Sequence, residues 1–365
     1  MLITMGAKKR YSERYYFFPK CVDNICVVTL MMCFAWGSTA YELKAQNNFQ
    51  FEKVFYLPYK GDWNYPIVNP HSNKLYITQG NQVTVLNKFT GDSIGIIPNT
   101  PGVKSVALAT RFGKGYTANT LSNTITVFDL KSDRFVKEIS LGVNPTIIIY
   151  DEYASKIISS NAKDGTIIII DPRLDRIETT LSLNGNKITG MTSDGNGNLF
   201  INLADKREVV WLNMSTYEVM MHWSLGPGKL PTGLAVDSKN KRLFSVCNKL
   251  LVVFDVSDAK IIDTLSIGMN SNGIVYNPAS RFIFVANGDG TVSVINQLTP
   301  NEYKFIQNIP TKKGANLIAF DELTHTLFVQ GAEQEILSKA ATKQLIPINS
   351  KTTSTGVQVI VPEKL

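Results

Sequence analysis

The feature that most constrains this chain is a repeat with a period in the forties. The same pattern returns seven times: KLYITQGNQVTVLN (74–87), KGYTANTLSNTITVFD (114–129), KIISSNAKDGTIIIID (156–171), NLFINLADKREVVWLN (198–213), RLFSVCNKLLVVFD (242–255), FIFVANGDGTVSVIN (282–296) and TLFVQGAEQ (326–334). Each copy is a β-branched or aromatic run, a polar turn and, in all but the last, a second apolar run. The central residues of the first runs are Tyr76, Tyr116, Ile158, Phe200, Phe244, Phe284 and Phe328, spaced by 40, 42, 42, 44, 40 and 44 residues. A unit of this size cannot bury its apolar face alone, so copies must stack, and short β-rich units at this period build propeller blades.

Four strands fit in each unit, as in VKSVALAT, KGYTANT, TITVFDL and FVKEISLG between residues 103 and 142. Asp-Gly pairs within residues 162–166 and 287–291 mark tight hairpins that need positive φ. Pro172, Pro231 and Pro278 fall at strand edges or connections, where a missing N–H costs little. Only Ala332 to Leu345 keeps a helical period. A ring of blades must join its ends, because an open sheet edge invites aggregation. The last unit supplies ANLIAF, TLFVQG and VQVIV (357–361), while FQFEKVFYLPY (49–59) has no other partner. The expected fold is therefore all-β: a seven-bladed β-propeller of four-stranded blades in one domain over residues 46–365, closed by an N-terminal strand that completes the last blade. Six or eight blades, or an open solenoid, are the alternatives. The tract from Ser338 to Thr355 reads as an irregular insertion in the closing blade.

The first forty residues follow another logic. Lys8, Lys9, Arg10, Arg14 and Lys20 precede an apolar run from Ile25 to Trp36, and Gly37, Ser38, Thr39 and Ala40 follow it. That order is a secretory signal over residues 1–40, and the run is shorter than the roughly 20 residues that span a bilayer. The expectation is an exported chain, in the periplasm or at the surface of a bacterium, with no transmembrane span after cleavage. Three of the four cysteines, Cys21, Cys26 and Cys33, lie in this leader. Cys247 is then alone, which excludes an intramolecular disulfide and a thiolate zinc site and reads as a small buried hydrophobe. Losing the leader takes the formal charge from +7 to +4, so the basic balance is a weak argument for nucleic acid.

The units resemble the YVTN-type repeats of YncE-like bacterial propellers. LYITQGNQVTVLN, FIFVANGDGTVSVIN and CNKLLVVFDVSDAKIIDTLSIGMNSNGIVYNP match that family's order: strand, Asn/Gly/Asp turn, V-x-V-hydrophobic-D/N, then a Gly before the next blade. The resemblance covers nearly all of the chain beyond the leader, and KIISS in the third blade and the whole last blade depart from it. It implies export and a surface-associated or polyanion-binding role. Related propellers also form part of amine-oxidising dehydrogenases, which is its enzymatic implication.

The residues themselves carry no catalytic pattern. His71, His222 and His325 lack any metal-ligand spacing, and HExxH, CxxC, CxxCH, GxSxG and EF-hand patterns are absent. GPGK (226–229) and GDG (288–290) open no helix and read as turns. No metal and no cofactor is therefore expected. Propeller geometry places any site where the loops into the innermost strands meet the channel mouth. Those positions are Trp63, Tyr65, Lys104, Asn144, Lys187, Thr232, Asn272 and Asn316. Lys104 and Lys187 would meet an anionic group, with Trp63 and Tyr65 as stacking surfaces. Asn119, Lys163, Lys206, Arg207, Asn248, Lys249 and Asn287, in neighbouring turns, would extend the site. Two function classes follow. One is a monomeric, non-catalytic scaffold for a protein, a polymer or a small anion; the other is an enzyme or accessory subunit, which needs a ring of perturbed ionisable groups at the mouth.

Overall fold

In the computed structural model the described residues are 48–57, 63–161, 163–330, 334–335 and 353–363. The expected signal segment and residues 338–352 of the expected insertion lie outside them. Seven antiparallel sheets form seven blades, and six of them use four consecutive strands. The innermost strands are Trp63–Val68, Val103–Ala109, Pro145–Asp151, Ile188–Ser193, Leu234–Asp237, Ser271–Asn277 and Leu317–Asp321. Each meets the next in order, and the seventh meets the first, which closes the ring.

Closure follows the expected route. The seventh blade takes Leu317–Asp321, Thr326–Gln330 and Thr353–Pro362 from the C-terminal side and Phe49–Leu57 as its outermost strand. Phe49 inserts its ring between Phe282 and Phe284 of blade 6, with centroids at 5.5 and 4.8 Å. Gln334–Glu335 pairs with Thr353 and Ser354 as a short strand, so these two residues do not continue the expected helical pattern. The rest of that stretch lies outside the described residues.

The core sits between blades. Tyr76, Tyr116, Ile158, Phe200, Phe244, Phe284 and Phe328, which mark the repeat, are all fully buried. Phe244, Val246 and Val253 of blade 5, for example, pack against Ile274, Ile283 and Val285 of blade 6. Burying each such side chain contributes about 1.5–3 kcal/mol, which explains why a blade is stable only beside its neighbours.

Turns carry the remaining regularity. In blades 1 to 5 the Asp or Asn that ends the third strand accepts a backbone N–H two or three residues on: Asn87 from Phe89 (2.9 Å), Asp129 from Ser132 (2.7 Å), Asp171 from Arg173 (2.7 Å), Asn213 from Ser215 (2.8 Å) and Asp255 from Ser257 (2.8 Å). These Asx turns are the physical content of the D/N in the repeat. Four residues later the chain turns left-handed at Gly91, Asp133, Asp175, Tyr217 and Ala259, with φ between 50° and 82°. Asp tolerates that conformation better than Tyr or Ala does.

Candidate functional site

Two faces follow from the strand directions. The upper face carries the loops into the innermost strands and the hairpin turns between second and third strands. The lower face carries the other two sets of turns.

At the upper mouth the innermost strands are irregular. Pairing with the second strand shifts between Trp63 and Pro66, Val103 and Ser105, Pro145 and Ile148, Ile188 and Gly190, and Ser271 and Ile274. Counted back from the aromatic marker, the innermost ring is Asn64, Lys104, Thr146, Thr189, Thr232, Asn272 and Asn316. Four of these are among the expected residues, while Asn64, Thr146 and Thr189 were missed because the bulges displace the count.

Most of this ring is occupied in joining blades. Thr189 donates to Pro231 O (2.7 Å), Thr232 to Ser271 O (3.0 Å), Asn64 to Val103 O (3.3 Å) and Asn316 to Asn270 O (3.2 Å). Ser105, one residue further in, donates to Thr146 O (2.8 Å). Tyr65 does something else: its hydroxyl donates to Asn272 Oδ1 (3.2 Å), from blade 1 to blade 6 past blade 7. The phenol reaches over the innermost strand of blade 7 at one side of the channel, and burial pushes its pKa up. Beneath it lies a cavity of about 240 Å³ lined by Ile67, Val106, Ile147, Met191, Ile274 and Ile318. Its hydroxyl is therefore engaged by the protein, unlike that of a free stacking platform.

The other expected positions lie at the rim. Trp63 is in its strand, and its side chain is outside the described residues. Asn144 Nδ2 donates to Thr120 O (3.4 Å). Lys104 is half-buried and Lys187 exposed. The backbone N–H groups of Asn186 and Lys187 both donate to the Asp205 carboxylate, at 2.9 and 3.0 Å. Desolvation works against ionisation of Asp205, but these donors, its own backbone N–H and the Lys206 charge together hold its pKa below the usual carboxylate range. Among the outlying turn positions, Lys163, Lys206, Arg207, Asn248 and Lys249 are exposed. Asn119 and Asn287 are fully buried and brace their own hairpins. Asn119 Nδ2 reaches Thr124 (3.2 Å) and Thr126 (2.8 Å), and Asn287 Nδ2 reaches Thr291 (3.0 Å) and Ser293 (2.9 Å). They are structural.

Charge separates the two faces. Lys104, Lys163, Lys187, Lys206, Arg207, Lys229 and Lys249, with Lys312 and Lys313, belong to the upper face, against Asp164, Asp205 and Asp289. None of these cations is in an ion pair among the described residues, whereas on the lower face Lys74–Asp133 (2.7 Å), Lys114–Asp175 (2.7 Å), Lys88–Asp321 (2.8 Å) and Arg242–Asp255 (2.8 Å) neutralise one another. The Lys312 ammonium is buried without a hydrogen bond among the described residues, and burial pushes its pKa down.

Besides Tyr65 and Lys312 at the mouth, perturbed titratable groups lie between blades. Burial, with the neighbouring Asp133 and Asp175, raises the pKa of Tyr76 and Tyr116, which lie between blades. No group of three or more metal-ligating side chains occurs among the described residues. His71 and His325 are exposed in lower-face turns, and His222 pairs with Glu208 (3.0 Å) on an outer strand.

This geometry defines a closed propeller with cations on the upper rim that are unpaired among the described residues and four cation–carboxylate pairs on the lower face. Comparison with known proteins agrees with the fold. The chain is 21% identical over 242 residues to the uncharacterized protein YncE of Salmonella typhi, covering 62% of this chain and 67% of that protein. With the seven blades, this supports the resemblance to YncE-like propellers. No protein-family model matches. Similar solved structures include the WD40 repeats of RRP9 (TM-score 0.71, 8% identity, 86% of this chain and 100% of that one). A chain of the mitotic checkpoint complex (0.70, 12%, 96% and 98%) and one of Kuenenia stuttgartiensis hydrazine synthase (0.65, 14%, 75% and 95%) are also similar. At these identities the likeness shows the fold alone.

Proposed function

We propose that the chain is an exported, non-catalytic propeller, its single domain running over residues 46–365, which binds an anionic partner on the upper face around the channel mouth. The observation that carries this reading is the difference in charge pairing: the upper-face cations have no ion pairs among the described residues, whereas Lys74, Lys88, Lys114 and Arg242 on the lower face each pair with a carboxylate. Unpaired cations on a rigid rim raise the local potential and steer polyanions towards it. The partner rests on this rim, with Lys104 and Lys187 nearest the mouth and the Tyr65 hydroxyl held by Asn272.

Two of the similar structures, the WD40 repeats of RRP9 and a chain of the mitotic checkpoint complex, suit a scaffold role. Tyr76 and Tyr116 serve blade packing, and at the mouth the Tyr65 hydroxyl is taken up by Asn272, which favours the non-catalytic reading over an enzyme. No helix among the described residues is long and apolar enough to cross a membrane.

Fluorescence anisotropy with a sulfated polysaccharide, an oligonucleotide and a neutral dextran tests the partner class. Saturable binding of the anionic polymers alone is expected, and equal binding of the dextran would refute the reading. Export is tested by N-terminal sequencing of the protein recovered from outside the cytoplasm, with Tyr41 as the expected first residue.

A further inference from the structure

At four of the seven junctions adjacent blades are latched on the lower face by a cation that donates to a backbone carbonyl in an outer turn of the neighbouring blade. Lys74 Nζ reaches Leu130 O (2.7 Å), Lys131 O (3.0 Å) and Asp133. Lys114 Nζ reaches Pro172 O (2.8 Å) and Asp175 (2.7 Å). Arg242 reaches Pro300 O (2.9 Å) and Asn301 (2.6 Å), and Lys53 closes the ring by reaching Phe89 O (3.0 Å). Between blades 3 and 4, Tyr217 bridges to Glu178 (3.2 Å), which Lys156 also holds.

At the junction of blades 4 and 5 both members of the latch are replaced. Asn198 stands where Lys74 and Lys114 stand, and Ala259 stands where Asp133 and Asp175 stand. The Asn198 side chain turns back into its own blade, accepting from Trp211 Nε1 (2.8 Å) and donating to Asp194 (2.6 Å). A cavity of about 450 Å³ opens there, lined by Asp194, Asn198, Trp211, Val236, Val256 and Ser257. Val256 and Ser257 correspond to Leu130 and Lys131, whose carbonyls take an ammonium, and no described residue donates to theirs.

We propose that this cavity binds a primary alkylammonium group, either a free amine or a lysyl side chain of another polypeptide. The Val256 and Ser257 carbonyls and the Asp194 carboxylate receive the ammonium, and Val236 and the Trp211 indole line the stem, a ring that also attracts cations. The protein's own lysines at two other junctions show which ligand this kind of slot accepts.

The test titrates the full chain with n-butylammonium, with n-butanol as neutral isostere, and with Nα-acetyl-lysine methylamide, by calorimetry and tryptophan fluorescence. Both amines should bind and the alcohol should not. Tighter binding of the lysine derivative points to a polypeptide source, and tighter binding of butylammonium to a free amine. Rebuilding the latch with Asn198→Lys and Ala259→Asp should abolish binding and raise the melting temperature. Asp194→Asn, which keeps the shape of the carboxylate, should weaken binding about tenfold by removing a charged acceptor. Lys241→Met, which removes the like charge lining the cavity, should tighten binding about threefold. Equal affinity for butanol, or undiminished amine binding in both the rebuilt latch and Asp194→Asn, would overturn the proposal.

Discussion

Lys88 and Asp321 show how a single pair can hold two blades together. The ammonium and carboxylate are 2.8 Å apart with side chains only 3% and 0% exposed, and the ammonium also donates to Asn69 O (3.3 Å) and Pro70 O (3.2 Å). Lys88→Met leaves a buried carboxylate without its partner and should destabilise the fold by about 3–5 kcal/mol, whereas adding Asp321→Leu should restore most of that loss. Urea denaturation of the two variants measures both effects. Cys247 and Tyr303 set the alkaline limit. Burial raises the Cys247 thiol from 9.0 to about 11, and burial raises the Tyr303 phenol from 10.0 to about 12. The folded state holds protons that the unfolded chain has already released, so stability is intact below the unfolded values and falls as pH rises through the folded ones. Urea midpoints should be level from pH 7 to 9 and decline from pH 9 to 12, and Cys247→Ala should delay the onset of the decline.

At the scale of the element, the closing strand offers an internal control. Phe49 and Phe51 lie in the same strand, but Phe49 is buried against Phe282 and Phe284 while Phe51 is 47% exposed. Phe49→Ala should cost about 3–5 kcal/mol and Phe51→Ala less than about 0.5 kcal/mol, read from denaturant midpoints. This strand, its partner and the aromatic markers were legible in the sequence, because period, alternation and turn chemistry are all local. The mouth was legible only in part. Lys104, Thr232, Asn272 and Asn316 are ring members as expected, but the bulges moved Thr146 and Thr189 into the places assigned to Asn144 and Lys187. Tyr65 illustrates the remaining difficulty: its partner Asn272 is 207 residues away in sequence, and no local pattern links them.

For the whole molecule, the ring converts seven similar units into two unlike faces. Buried aromatics and the lower-face latches determine shape, and the turns above them are free to vary in charge. This division explains why the repeat specified the architecture so well and the partner so poorly: its recurring residues are core and turn positions, whereas the candidate contacts are the lysines and arginine that differ from blade to blade. The direct measurement is the salt dependence of polyanion affinity for the full chain and for two triple variants, one with Lys104, Lys187 and Lys206 changed to Ala and one with the lower-face Lys131, Lys239 and Lys260 changed to Ala. If the upper rim is the contact surface, the first variant should bind more weakly and lose about one unit of slope in log K against log salt per phosphate contact removed, while the second should match the parent. Equal losses in both variants, or no polyanion binding even at low salt, would contradict the account.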